Sequence, residues 1–243
     1  MKHHQENGVE YLTFEIFNGQ HKLRHAIFLR NGDEHPFDMK SDSEHFENSL
    51  KAVAKVMGVT AKQIRWAHQV HGNTIIDISS PDHETPSCDG LVTAEKNLSL
   101  MILHADCQSA IFYDPINQVI ANVHAGWRGN VLNIYQSTVE FLVKKYGTNV
   151  KDLLVAIGPS LGPQHAEFRN YKEEFPSDLW RFRDANNHFN LWDIAEMQLL
   201  ACGIPKENIE IARIDTYSDE KNFYSYRRDR EEAGRHATVI TLK

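Results

Sequence analysis

"SLMILHADCQSAIFYDPINQVIANVHAGWRGN", residues 99–130, decides the fold. Within it "SLMILHADC", "SAIFYDP" and "VIANVHAG" are apolar and rich in β-formers. Runs of strand length without polar alternation read as central strands buried on both faces. "DPINQ" turns the chain between the second run and the third. Apolar side chains suffice for such strands, yet these carry His104, Asp106, Cys107 and His124, with Trp127 and Arg128 just beyond.

On the N-terminal side, "IRWAHQV" (64–70) and "NTIIDIS" (73–79) read as strands around a break at His71-Gly72-Asn73. "SEHFENSLKAVAKVMGV" (43–59) reads as a helix, with Phe46, Leu50, Val53, Ala54 and Met57 on one face and Gly58 ending it. "YLTFEIFN" and "LRHAIFLR" make an opening strand pair, followed by a loop over 30–42. His3-His4 reads as a solvated tail.

On the C-terminal side, Asn130 is expected to cap a helix over 131–147 that Gly147 ends. "DLLVAIGPS" (152–160) is a buried strand, and "FNLWDIAEMQLLACGI" (189–204) is an amphipathic helix. "IEIARI", "FYSYRR" and "ATVITL" read as the last strands. Helices and strands mix without strict βαβ alternation. The expected architecture is α+β, a single domain over 1–243 with a large mixed β-sheet core and packed helices.

The chain has 243 residues, 26 Lys and Arg against 33 Asp and Glu, and a net charge of −7. Such a balance gives no general attraction to nucleic acid or anionic membrane. The expected partners are therefore small molecules. The three cysteines, Cys88, Cys107 and Cys202, are too few and too far apart for a disulfide framework. No signal sequence or spanning run stands out, so a cytoplasmic location is expected.

His71, Cys107 and His124 each stand at the end of an apolar run, beside a break. Strand ends are where a rigid scaffold can aim side chains at one point. Two imidazoles and a thiolate make a three-ligand set with a fourth position open, the pattern of a catalytic zinc. Zinc lowers the pKa of a bound water to about 7. Spacing leaves other readings open. Cys107 also reads as a nucleophile with His124 or His71 as its base, though Asp106 beside it works against a reactive thiolate, or as a buried core thiol beside satisfied histidines. Asp106 is a candidate to orient a liganding imidazole. His68, three before His71, falls on the opposite strand face and reads as supporting. The same offset separates His104 from Cys107. Cys88 and Cys202 read as structural.

"HAGWRGN" suggests an anion site, with Arg128 and a helix start beyond Gly129. Arg227 and Arg228, placed on a strand, would face opposite ways, so at most one meets a site. There is no GxxxxGK[ST], no GxGxxG after a strand, and no H-x-E paired with P-C-x-x-C. P-loop kinases, Rossmann dehydrogenases and cytidine-type deaminases lose weight accordingly.

"HQVHG" (68–72), "CDGLVT" (88–93), "ADC" (105–107), "HAGWRG" (124–129), "IGPSLGP" (157–163) and "FYSYRRD" (223–229) occur in that order. Together they resemble the YfiH/LACC1 family, the multicopper polyphenol oxidoreductase or laccase-domain proteins. The resemblance implies a CNF1/YfiH-like fold with zinc held by His71, Cys107 and His124. It implies purine nucleoside phosphorylase activity on adenosine and inosine, cleavage of 5′-methylthioadenosine, and adenosine deamination. Phosphate would then meet Arg128, Arg227 or Arg228. The laccase label implies copper and phenol oxidation instead, whereas zinc has no redox chemistry. A Cys/His hydrolase and a non-enzymatic metal- or nucleotide-binding protein are the alternatives. The chain departs from the family pattern at Ser160, at Gln164-His165, in "RIDTYSDE" and in "NGDEHP", segments that would bear on substrate preference.

Overall fold

The computed structural model describes residues 1–6, 8–32 and 36–243. Residues 33–35 of the expected 30–42 loop, within "NGDEHP", lie outside them.

Two six-stranded mixed sheets form the expected mixed β-sheet core. The first contains β1 (Lys2–Glu6), β2 (Val9–Thr13), β3 (Leu23–Phe28), β4 (Ile64–Arg65), β7 (Ser99–His104) and β12 (His236–Leu242), in the order β1-β2-β3-β12-β7-β4. The second contains β5 (Ile75–Asp77), β6 (Gly90–Thr93), β8 (Gln108–Asp114), β9 (Val119–Ala125), β10 (Leu154–Ile157) and β11 (Ile209–Ile211), in the order β11-β10-β8-β9-β6-β5.

The apolar runs are explained by burial on both faces. In β8, Ile111 and Tyr113 enter the core between the sheets, while Ala110 and Phe112 face outward under helices. In β12, Ile240 and Leu242 point inward and Ala237 and Val239 outward. Successive side chains alternate, so both residue sets must be apolar. Buried Asn122 ties the sheets together, donating to the Leu100 carbonyl at 3.0 Å and the Thr238 carbonyl at 2.8 Å.

Helix α1 (Phe46–Met57) covers the first sheet through Leu50, Val53, Ala54 and Met57 and ends at Gly58, φ 67°. A short helix α2 (Trp127–Val131) leads to α3 (Ile134–Tyr146). With α5 (Leu191–Ala201), α3 covers the second sheet. Helical turns α4 (Tyr171–Glu174) and α6 (Tyr226–Asp229) complete the set used here.

Several expectations change. His3 and His4 lie on β1, paired antiparallel with β2, because the polar segment matches an exposed sheet edge. The strands at "IRWAHQV" and "NTIIDIS" shrink to β4 and β5 and belong to different sheets. Asn133 caps α3, accepting from the Gln136 amide, while Asn130 is buried inside α2 and bonds Gln108. "FYSYRR" is no strand. Ser225 caps a helical turn by accepting from the Arg228 amide. Among the described residues no helix is long and apolar enough to cross a membrane.

Candidate metal centre

Two chain crossovers between the sheets meet at one end of the molecule. The first, residues 105–107, leaves β7 in one sheet and enters β8 in the other. Asp106 takes φ 80° there, and its carboxylate secures the turn. It accepts from Thr216 Oγ1 at 2.7 Å, Ser225 Oγ at 3.0 Å and the Arg227 amide at 2.6 Å. The second crossover joins β4 to β5 and contains His71 at φ 59°. His124 stands near the end of β9, where Gln108 faces Ala125 in register, so Cys107 falls beside Gly126. A β-carbon on Gly126 would lie 3.1 Å from Cys107 Sγ and 2.9 Å from His71 Cδ2, so only glycine fits.

The ligand atoms of His71, Cys107 and His124 all lie within 4.8 Å of one another. Zinc–ligand bond lengths in a tetrahedron separate donor atoms by about 3.3–3.6 Å, so small side-chain adjustments close the set around one ion. His124 is buried, Cys107 partly buried and His71 exposed, which leaves the fourth direction open.

Asp89 holds this arrangement. It is fully buried and stands beside His124 across the β6–β9 ladder. Its Oδ1 accepts from the His71 amide at 2.9 Å and from His124 Nδ1 at 2.8 Å. Its Oδ2 accepts from the Gly72 amide at 2.6 Å and the Val70 amide at 3.3 Å. One carboxylate therefore pins the backbone of one donor residue and orients the ring of another. With Nδ1 donating to Asp89, His124 presents Nε2 as a donor atom, a carboxylate–histidine arrangement common at metal sites.

The electrostatics suit a cation. Burial alone would raise Asp89, but the bonds from His124, Gly72 and His71 outweigh it and hold the carboxyl below its ordinary range. Burial opposes the Cys107 thiolate too, yet the charge and hydrogen bonds of His124 and His71 bring the thiol down to about 6. Against the same burial penalty, Cys107 and Asp89 raise His124 to about 9. The site is poised as a thiolate beside an imidazolium, a proton that a metal would displace. Two imidazoles, one ready thiolate and an oriented ring fit a zinc ion.

A cavity of about 1080 Å³ opens from the trio. Arg128 and Arg227 line it, with Trp66, Trp127 and Phe168. Arg128 stacks over Trp127 at 4.7 Å, and Arg227 lies over Phe168 at 5.6 Å. One Arg227 nitrogen, Nη1, donates to the carbonyls of His165 and Glu167.

Several expected roles change. Asp106 orients no imidazole, because its oxygens are used by Thr216, Ser225 and Arg227. Arg228 lies outside the cavity and donates to the carbonyls of Thr216, Tyr217 and Phe223 and to Asp229. The strand-parity arguments for His68 and for the Arg227–Arg228 pair lapse, since neither segment is a strand. His68 is exposed on the cavity wall. The α2 start is a five-residue helix whose N-cap is Gly126, so the expected anion site at a long helix end is not formed. Asp89 was not singled out from the sequence. Its "CDG" context marks a turn into a strand, but nothing local indicates a partner 35 residues away.

A family model described as "Multi-copper polyphenol oxidoreductase laccase" matches residues 34–243. A Bacteroides thetaiotaomicron protein named "Purine nucleoside phosphorylase" is 35% identical over 163 residues, covering 63% of this chain and 60% of that protein. One from Staphylococcus saprophyticus, also named a purine nucleoside phosphorylase, is 31% identical over 204 residues, covering 77% and 76%. The crystal structure of Bacillus licheniformis hypothetical protein YfiH superposes with a TM-score of 0.89 at 25% identity, covering 99% of each chain.

Proposed function

The chain belongs to the multi-copper polyphenol oxidoreductase laccase family, and on that premise we propose that it is a zinc-dependent purine nucleoside phosphorylase. The observation that carries this is one three-donor site opening into a cavity whose wall bears Arg128 and Arg227. The names of the relatives support the same reaction class. Adenosine and inosine are the proposed substrates, with 5′-methylthioadenosine as a further one and adenosine deamination as a second activity.

His71, Cys107 and His124 would hold the zinc, which supplies Lewis acidity at its open position. The remaining work belongs to the chain. Arg128 and Arg227 bring inorganic phosphate into the cavity and share its charge. A phosphate oxygen attacks C1′ of the nucleoside. The C1′–N9 bond breaks, its electron pair leaves with the purine, and the base takes up a proton. Trp127 and Phe168 give the base an apolar wall and exclude water. Asp89 keeps the His124 ring in place throughout. In deamination, water takes the part of the nucleophile and ammonia leaves from C6.

The test is chromatography of adenosine incubated with zinc-loaded protein, with and without phosphate, beside Cys107→Ala. Adenine and ribose 1-phosphate are expected only with phosphate and only with Cys107. Inosine without phosphate is expected from the deaminase activity. Adenosine surviving every condition with zinc bound would overturn the reading.

A second reading has one observation in its favour: Cys107 is brought down to about 6 beside His124, as a cysteine hydrolase requires. Chelation separates the two, because it would abolish phosphorolysis and leave a metal-free thiolate enzyme active. Copper-dependent phenol oxidation has less support. Among the described residues one such donor trio converges, fewer ligands than several coppers need.

A further inference from the structure

The cavity extends beyond the trio, Arg128 and Arg227. Its volume of about 1080 Å³ stands at the top of the roughly 300–1,000 Å³ typical of small-molecule pockets. Part of its wall is a second cationic group, Lys40, Arg230 and Arg235. One short turn gathers them. Lys40 Nζ donates to the Glu231 carbonyl at 2.7 Å, and Arg235 Nη1 to the carbonyls of Ala233 at 2.7 Å and Gly234 at 2.9 Å. Arg230 begins the same turn, one step after α6, whose Arg227 faces the same cavity. Acids lie among them: Asp38 Oδ1 accepts from the Lys40 and Arg235 amides, each at 2.8 Å, Asp42 lies 4.0 Å from Lys40, and Glu231 accepts from Tyr226 Oη. Arg230 is the member that, among the described residues, has no acid paired against it.

Arg230 is the unusual member. Its backbone sits at φ 54°, ψ −130°, a conformation natural to glycine. Holding a side-chain-bearing residue in such a region strains the backbone. Among the described residues its guanidinium has no hydrogen-bond or ion-pair partner, and the residue is exposed on the cavity wall. The turn itself would form better with glycine, and the folded contacts of the arginine do not offset that local strain.

His104, 2% exposed, stands on the same wall. Its Nε2 pairs with Thr238 Oγ1 at 2.9 Å, but its buried Nδ1 has no partner. His104 faces His236 in the β7–β12 ladder, which places it beside Arg235.

We propose that Arg230, with Arg235 and Lys40, forms a subsite for the 5′-phosphate of a purine nucleoside 5′-monophosphate. This extends the nucleoside phosphorylase reading and rests on it. The reacting C1′ lies at the trio with inorganic phosphate on Arg128 and Arg227. The 5′ substituent, at the far side of the ribose ring, reaches the second group. A phosphate dianion matches guanidinium forks that have donors to spare. Inorganic phosphate attacks C1′, the C1′–N9 bond breaks, and the products are the protonated free purine and ribose 1,5-bisphosphate.

The test compares AMP with adenosine on the zinc-loaded protein with inorganic phosphate, reading adenine by chromatography, in the parent and in Arg230→Gly. Glycine keeps the turn's backbone without strain, so the variant folds. The expected result is AMP cleavage with a KM below that of adenosine. In Arg230→Gly the ratio of AMP to adenosine kcat/KM should fall tenfold or more. Adenosine cleavage without AMP cleavage, or an unchanged ratio in Arg230→Gly, overturns the subsite and leaves the nucleoside reading standing. If neither compound is cleaved, the nucleoside reading fails and calorimetry decides the subsite. AMP binding at least tenfold tighter than adenosine, lost in Arg230→Gly, supports it; equal binding overturns it.

Discussion

Replacing Asp89 by Asn removes a charge and an acceptor from a fully buried carboxylate that four donors share. Whichever way the amide turns, its NH2 faces two of them. Either the His71 amide and His124 Nδ1 lose their acceptor, or the Gly72 and Val70 amides do. Each buried donor left unpaired costs about 1–3 kcal/mol. The loss falls on the left-handed backbone of His71 or on the ring of His124, so it is felt at the metal. Partners of this kind are worth about 10–100-fold in metal affinity, or about 1.4–2.8 kcal/mol. Competition against a chromophoric zinc chelator at neutral pH measures the change. Asp106→Asn is the control, because Asp106 secures the neighbouring crossover and touches no imidazole. It should lower the melting temperature and leave zinc affinity near that of the parent. Unchanged zinc affinity in Asp89→Asn, with a loss in Asp106→Asn, would refute the reasoning and move the anchoring role to the crossover.

Gly126→Ala should lose bound zinc while keeping its circular dichroism, since the new methyl stands 2.9 Å from His71 Cδ2; a full zinc load in this variant would refute the close-packing argument. Arg227→Met should raise the KM for phosphate, whereas Arg228→Met should chiefly lower the melting temperature, because Arg228 spends its donors on carbonyls and Asp229. Acid should destabilise the fold well above the carboxylate range. Burial holds His25 at about 3, His236 at about 4 and His104 well below its usual value. All three are neutral when folded and titrate near 6.5 when unfolded. The unfolded chain therefore binds more protons below pH ~6.5, and stability falls as pH drops from there towards ~4, with a slope of up to about 4 kcal/mol per pH unit. Urea midpoints measured across that interval check it, and a flat profile would refute it.

Much of the site was legible because its donors are chemically out of place. His71, Cys107 and His124 stand at the ends of apolar runs, where core packing has no use for them. Their orienting partner was not legible. Asp106 is adjacent in sequence to Cys107 and so invited the role, yet a left-handed turn sends its carboxylate to Thr216 and Ser225 instead. Asp89 takes the role through a strand pairing between β6 and β9. "FYSYRR" misled for a related reason. Its alternating aromatics read as a strand, but Ser225 caps a turn and the Arg228 guanidinium gathers carbonyls from two loops.

By itself the sequence determined the apolar central strands, the helix from Phe46 to Met57 with its Gly58 stop and the mixed α+β class, and it singled out His71, Cys107 and His124, the three residues proposed here as metal donors. Each depends on periodicity, turn chemistry or side-chain type, which are properties of residues close along the chain. Only the tertiary structure decided that the strands divide into two packed sheets. An apolar run looks the same whether its outer face meets a helix or another sheet. It also decided that both crossovers between the sheets come together at one end, and that Asp89 lies under the trio. It placed Arg230, strained and, among the described residues, without a partner, on the wall of the same cavity. Those outcomes are set by pairings between residues far apart in the chain, and no local pattern encodes which distant strand or crossover will be the neighbour.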